Sequence, residues 1–134
     1  MTVYQSSEQL DQALQAMFNQ VAQDSKALES LSSSKLIIRL QITEPALDVV
    51  INGRTKPPKV TYGKTTLQPD LDISVSADAL HQILLGTLHL GAAVSGGALK
   101  VKGPVWKSFV LADIFHSGQR FYPELVREMG LPGA

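Results

Sequence analysis

The stretch SADALHQILLGTLHLGAAVSGGALKVKGPVWKSF, from Ser76 to Phe109, constrains this chain more than any other. It reads as helix, glycine, short helix, glycine, strand, glycine and helix. Ser76 is suited to cap a helix, and Asp78 in the first turn complements the positive end of the helix dipole. Leu80, Ile83, Leu84 and Leu88 recur at helical spacing. Gly86 ends that helix cheaply, because a left-handed residue there carries no Cβ. Leu90 to Val94 predicts a second, short apolar helix that stops at Gly96-Gly97. Ala98 to Lys102 alternates polar and apolar as a half-buried strand does. Gly103-Pro104 ends the strand, with Pro104 in place to open a further helix. Gly97 is expected at a positive φ or at a close backbone approach. The segment contains no titratable cluster, so it reads as an apolar wall rather than a reaction centre.

The remaining chain fits around this wall. Ser6 to Gln9 spells a capping box, and Leu10, Ala13, Leu14, Met17, Phe18, Val21 and Leu28 form one amphipathic stripe. One long helix with the other elements packed on that stripe is the expectation, followed by a Ser32-Ser33-Ser34 linker. Leu36–Ile42, Leu47–Ile51, Val60–Tyr62 and Leu71–Val75 predict strands, with Asn52-Gly53 as a hairpin-type turn. With Ala98–Lys102 there are five, joined mostly by tight turns, which implies a largely antiparallel sheet. Helices before and after it imply a two-layer α+β domain spanning 1–134. After Pro104, Trp106, Phe109, Val110 and Ile114 line one face of a helix closed by Gly118. A last helix is expected to start at Phe121-Tyr122-Pro123 and stop at Gly130. Its apolar Phe121, Leu125 and Met129 are expected to cover one end of whatever the wall encloses.

Composition narrows the function. The 12 basic and 12 acidic residues balance, so there is no electrostatic case for binding nucleic acid. No apolar run is long enough to span a bilayer, and no secretory signal is visible. Cysteine is absent, which removes thiolate chemistry and fits a cytoplasmic protein. Three near-motifs fail on context. Pro58 to Thr65 resembles a phosphate-binding loop, but Pro58 replaces the first glycine and a strand follows where a helix is required. Ala93 to Gly97 approaches a nucleophile elbow, yet it runs from helix to strand. His81, His89 and His116 lack zinc spacing and read as surface or capping residues. No metal, cofactor or catalytic residue is expected.

The pattern Gly86-x-Leu88-x₄-Ala93-x₃-Gly97-x-Leu99-x-Val101-x-Gly103, preceded by Asp72-x-Ser74 and Ala77-Asp78-x-Leu80, resembles the sterol carrier protein family, also called non-specific lipid-transfer proteins. The resemblance extends from Leu36 to Phe115. Two departures stand out: His89-Leu90 replaces an Asn-Pro common in the family, and the C-terminus is not a Ser-Lys-Leu peroxisomal address. The resemblance implies a five-stranded sheet covered by helices, with an apolar tunnel between the layers. It implies a non-enzymatic carrier of a fatty acid, acyl-CoA or sterol-like lipid, making transient contact with membranes. The candidate lipid-binding residues are Ile83, Leu84, Leu88, Val94, Leu99, Val101, Trp106, Phe109, Val110 and Phe115. The alternative is an accessory module for a partner enzyme of lipid or isoprenoid metabolism.

Overall fold

The computed structural model describes residues 3–104 and 109–132. Two helices open the chain, α1 (Ser7–Val21) and α2 (Ser25–Ser34), and strands β1 (Ile37–Thr43), β2 (Leu47–Asn52), β3 (Lys59–Tyr62) and β4 (Leu71–Ser76) follow. Then come α3 (Ala77–Leu85), α4 (Leu90–Ser95), β5 (Leu99–Lys102) and α5 (Phe109–Met129). The sheet order is β3-β2-β1-β4-β5. Three ladders are antiparallel and the central β1–β4 ladder is parallel, so the sheet is mixed, though largely antiparallel as expected.

Strand alternation makes the sheet one-sided. Ile38, Leu40 and Ile42 of β1 join Val49, Ile51, Leu71, Ile73, Val75 and Leu99 in one core with the helices. The other face carries Arg39, Gln41, Asp72 and Lys102, where the Arg39 guanidinium grips both carboxylate oxygens of Asp72 from the adjacent strand. Period-2 side-chain direction sends every second residue to each face, so helices cover only one of them.

Local capping follows the sequence closely. The Ser6 hydroxyl accepts the Gln9 amide at 3.1 Å, and Gln9 Oε1 accepts the Gln5 amide at 2.7 Å. The Ser76 hydroxyl accepts the Ala79 amide at 3.1 Å, and Gly86 ends α3 at φ +82°. Gly97 adopts φ +81°, as its position demands.

The expected single N-terminal helix is instead two. Asp24 breaks it by capping α2, its carboxylate accepting the Lys26 amide at 3.1 Å and pairing with Arg120 at 3.2 Å. Ser32-Ser33-Ser34 is not a linker but the last turn of α2. Asn52-Gly53 does not close a tight hairpin: β3 begins only at Lys59. Gly53 is required for another reason, since a Cβ there would lie 2.7 Å from the Leu31 carbonyl and 2.8 Å from that of Leu36.

At the C-terminus the two expected helices are one, and α5 runs through both Gly118 and Pro123. Gly118 is no stop. A Cβ on it would sit 3.0 Å from Leu84 of α3 and 3.2 Å from the Met17 sulfur of α1, so the missing side chain lets three helices meet. Packing against two neighbours outweighs the cost of about 1 kcal/mol for an interior glycine. His81 also departs from expectation. It is buried, with its Nε2–H donating to the Pro132 carbonyl at 2.8 Å. That leaves Nδ1 to accept the Tyr122 hydroxyl at 2.6 Å, and Tyr122 in turn bonds the Tyr4 hydroxyl. Val3 adds a backbone bond to Asp78 at 2.8 Å, so α3 holds the first and last described segments, at Val3 and Pro132.

Two predictions follow from this packing. Gly118→Val should lower stability by about 1–3 kcal/mol through overpacking, read as the urea midpoint. Gly91→Ala on exposed α4, where a Cβ meets nothing, should not lower it. The second concerns acid. Burial disfavours the imidazolium and lowers the His81 pKa, against the opposing pull of the Pro132 carbonyl and Asp78. The unfolded chain therefore binds the proton more readily, and this part of the stability is complete above the ordinary imidazole pKa of about 6.5. It should be lost as pH falls from there through the lower folded value. A His81→Leu protein should be less stable at pH 7 and should lack that part of the decline in thermal melts.

Candidate functional site: an apolar cavity row between the layers

The sheet face and the helices enclose apolar space because side chains of unlike shape meet there. One cavity, of ≈ 20 Å³, lies between the layers. Leu14, Met17 and Phe18 of α1, Ile38 and Leu40 of β1, and Ile51 of β2 line it, with Leu80, Leu84, Leu111, Ile114 and Phe115 opposite. A second cavity, of ≈ 40 Å³, lies under the α1–α2 turn and is bounded by Val21, Ala27, Leu31, Pro58 and Val60. The two share Phe18, Ile51 and Ile114 as walls. A third, of ≈ 170 Å³, lies where the α3–α4 connection meets α5, lined by Gly86, Leu88, His89, Leu90, Phe115, His116 and Gln119. Phe115 is common to it and the first. The first cavity thus adjoins both of the others, and the three form a row.

The first two cavities are apolar throughout. None of their lining residues bears a charged or hydrogen-bonding side chain. Apolar voids of this kind stay empty of water and accept apolar guests. Each is far smaller than the roughly 300–1,000 Å³ of an ordinary ligand pocket. An acyl chain can therefore occupy the row only if Phe18, Ile51, Ile114 and Phe115 turn aside. The third cavity differs in its lining, where Leu88, Leu90 and Phe115 are joined by two imidazoles, His89 and His116, and the Gln119 carboxamide.

The residues proposed from sequence distribute as follows. Leu84 faces the interlayer cavity, Leu88 the outer one, and Phe115 both. Ile83, Leu99 and Val110 are buried in the common core without bordering any of the three cavities, and Val101 is half-buried on β5. Val94 is 47% exposed on α4. Trp106 and the side chain of Phe109 lie outside the described residues. Of the C-terminal positions, Phe121, Leu125 and Met129 are half-buried against the core, and Tyr122 and Val126 take the fully buried places. The cavity walls contributed by α1, β1 and β2 were legible only as core. Their helical stripe and strand alternation mark an inward face, and neither pattern distinguishes residues packed on each other from residues packed around a gap.

No curated protein sequence matches this chain. Solved structures do match its fold. The apo form of sterol carrier protein 2 from Yarrowia lipolytica superimposes with a TM-score of 0.61 at 20% identity, covering 81% of this chain and 88% of that one. The sterol carrier protein domain 2 of Helicoverpa armigera gives 0.62 at 21% identity, covering 79% and 87%. The ubiquinone synthesis protein UbiJ-SCP2 gives 0.51 at 18% identity, covering 72% and 77%. Residues 14–115 match the SCP-2 sterol transfer family, and the chain belongs to that family.

Proposed function

We propose that this protein is a non-catalytic lipid carrier that holds a fatty acyl chain or a sterol-sized lipid between its sheet and its helices. The observation that supports this reading is the row of adjoining cavities, two of them wholly apolar, that share Phe18, Ile51, Ile114 and Phe115 as walls. Rotating side chains costs far less than breaking a sheet ladder, so the row can open while the backbone hydrogen bonds stay intact. Burying ten methylenes contributes about 8 kcal/mol. After the cost of association and of parting the walls, the expected affinity is about micromolar or weaker, which suits a carrier that must release its load. One domain over 1–134, acting in the cytosol and touching membranes only transiently, completes the reading, and the cysteine-free composition is in keeping with it.

A second reading is supported by the small size of the interior cavities, ≈ 20 and ≈ 40 Å³. In it the domain keeps the fold without a cargo and serves as an accessory module beside an enzyme. The structural likeness to UbiJ-SCP2, itself described as a ubiquinone synthesis protein, favours keeping this reading in view.

Native mass spectrometry after gentle purification separates the two. A carrier should co-purify with lipid or take up a sixteen-carbon lipid from a panel. Ile51→Phe, which fills the wall shared by the two interior cavities, should weaken that uptake about tenfold or more while the circular dichroism spectrum is retained. A protein that stays empty throughout the panel sinks the carrier reading and leaves the module.

A further inference from the structure

We infer that the uncovered face of the sheet, rather than the helical layer, is the surface on which this protein docks, and that its partner is a bilayer carrying anionic lipid. This deepens the carrier reading and rests on it, since a carrier must meet the surface it loads from.

The net charge of zero conceals a separation between the layers. The helices, with the Asp24 cap, carry eight carboxylates, among them Glu8, Glu29, Glu124 and Glu128, against Lys26, Arg120 and Arg127. The strands and the loops beside them reverse the balance. There Arg39 is held by Asp72 and Arg54 by Asp70, which leaves Glu44 and Asp48 against six lysines, Lys35, Lys56, Lys59, Lys64, Lys100 and Lys102. All six are exposed, and none has an ion-pair partner among the described residues. Strand alternation decides where three of them point. Val60 lines a cavity, and Leu99 and Val101 pack against the core, so Lys59, Lys100 and Lys102 project from the opposite face. They stand on β3 and β5, the two edges of the sheet, about 19 Å apart at ordinary strand spacing.

The helical layer lacks the chemistry for this role. A helix that lies on a membrane carries lysine and arginine on its polar face and turns its apolar face outward. Here the polar side is acidic, and the apolar stripes of α1 and α5 are already buried in the core. Lipid also fits the sheet face better than protein does. Protein interfaces are poor in lysine and rich in arginine and aromatic side chains, and both arginines of this layer are already paired. Dispersed lysines act as point charges that need no matched geometry, which suits a layer of mobile phosphate head groups. Leu67 on the β3–β4 connection is 39% exposed and offers an apolar side chain to the head-group zone. The cargo space is close by: Lys59 stands between Pro58 and Val60, two walls of the second cavity.

The test is co-sedimentation of the full-length protein with vesicles of phosphatidylcholine alone or in equal parts with phosphatidylglycerol. Binding is expected to the mixed vesicles only, and should weaken about tenfold or more when salt is raised to about 0.5 M. Lys100→Gln/Lys102→Gln should also weaken it about tenfold or more. Lys26→Gln/Arg127→Gln makes the same change in net charge on the helical layer and should leave binding within about twofold. All four positions are exposed, so an unshifted melting temperature shows that each variant is folded. Equal loss in the two variants overturns the inference, as does equal binding to both kinds of vesicle. Salt-sensitive binding to polyglutamate without binding to vesicles overturns it in favour of an acidic protein partner. A protein that takes up lipid in native mass spectrometry yet ignores the mixed vesicles overturns the docking surface alone, whereas absence of lipid uptake overturns the carrier reading.

Discussion

The structure depends on the seam where α5 crosses α1 and α3. At Gly118 the absence of a side chain brings the α5 backbone down onto Met17 and Leu84, closer than any Cβ-bearing residue allows without a shift in its neighbours. Toward the start of α5, Leu111, Ile114 and Phe115 look onto the sheet across the interlayer cavity. Toward its end, Tyr122 and Val126 are buried. Polar bonds hold the helix on both sides of Gly118: Ser30 of α2 donates to Asp113 at 2.7 Å, and Arg120 pairs with Asp24 at 3.2 Å. Fixing the outer surface of a helix while its inner surface meets only apolar side chains leaves the lining free to repack.

Polar burial is concentrated at the opposite end. The Tyr4–Tyr122–His81–Pro132 chain of hydrogen bonds removes four polar groups from water, and each is paired. Breaking one link would strand its partner in a low-dielectric setting, at a cost of about 1–3 kcal/mol. Burial raises the pKa of both tyrosines, which keeps the hydroxyls protonated as donors throughout the neutral range. Around the sheet a second polar knot does similar work. Asp70 accepts from the Ile37 amide at 2.8 Å and from Arg54 at 2.9 Å, joining the entrances of β1 and β4 to the β2–β3 loop. Gly103 passes so close to the Asp70 carbonyl, 2.5 Å for an added Cβ, that no side chain could replace it. Specific polar pairs thus set the frame, and the space within it is left to apolar contacts that can rearrange.

This division suits the lipid carrier proposed above, which must hold an apolar cargo and release it. The frame resists opening because each of its bonds has a definite geometry. In that proposal the interior opens because dispersion contacts have little directional preference and side chains exchange rotamers readily. The family to which the chain belongs carries the same fold at about one-fifth sequence identity. Such divergence is tolerated where volume and patterning matter more than the identity of each core side chain.

Much of this was legible in the sequence. Caps at Ser6, Ser76 and Gly86, five strands, a one-sided sheet and the positive φ at Gly97 all follow from local chemistry, in which a residue's neighbours in the chain are also its neighbours in space. The spacing of the glycines also pointed to the right family. What the tertiary structure decided is whatever depends on residues far apart in the chain. Gly118 and Pro123 read as helix boundaries, yet burial against α1 and α3 carries α5 through both. His81 read as a surface residue because Tyr122 and Pro132, which satisfy its two nitrogens, lie 41 and 51 positions away. The parallel β1–β4 ladder required the chain to return to the centre of the sheet after β3. Hydrophobic periodicity tells which side chains point inward; only the packed arrangement decides where they touch and where, as around Phe18, Ile51 and Phe115, they leave room.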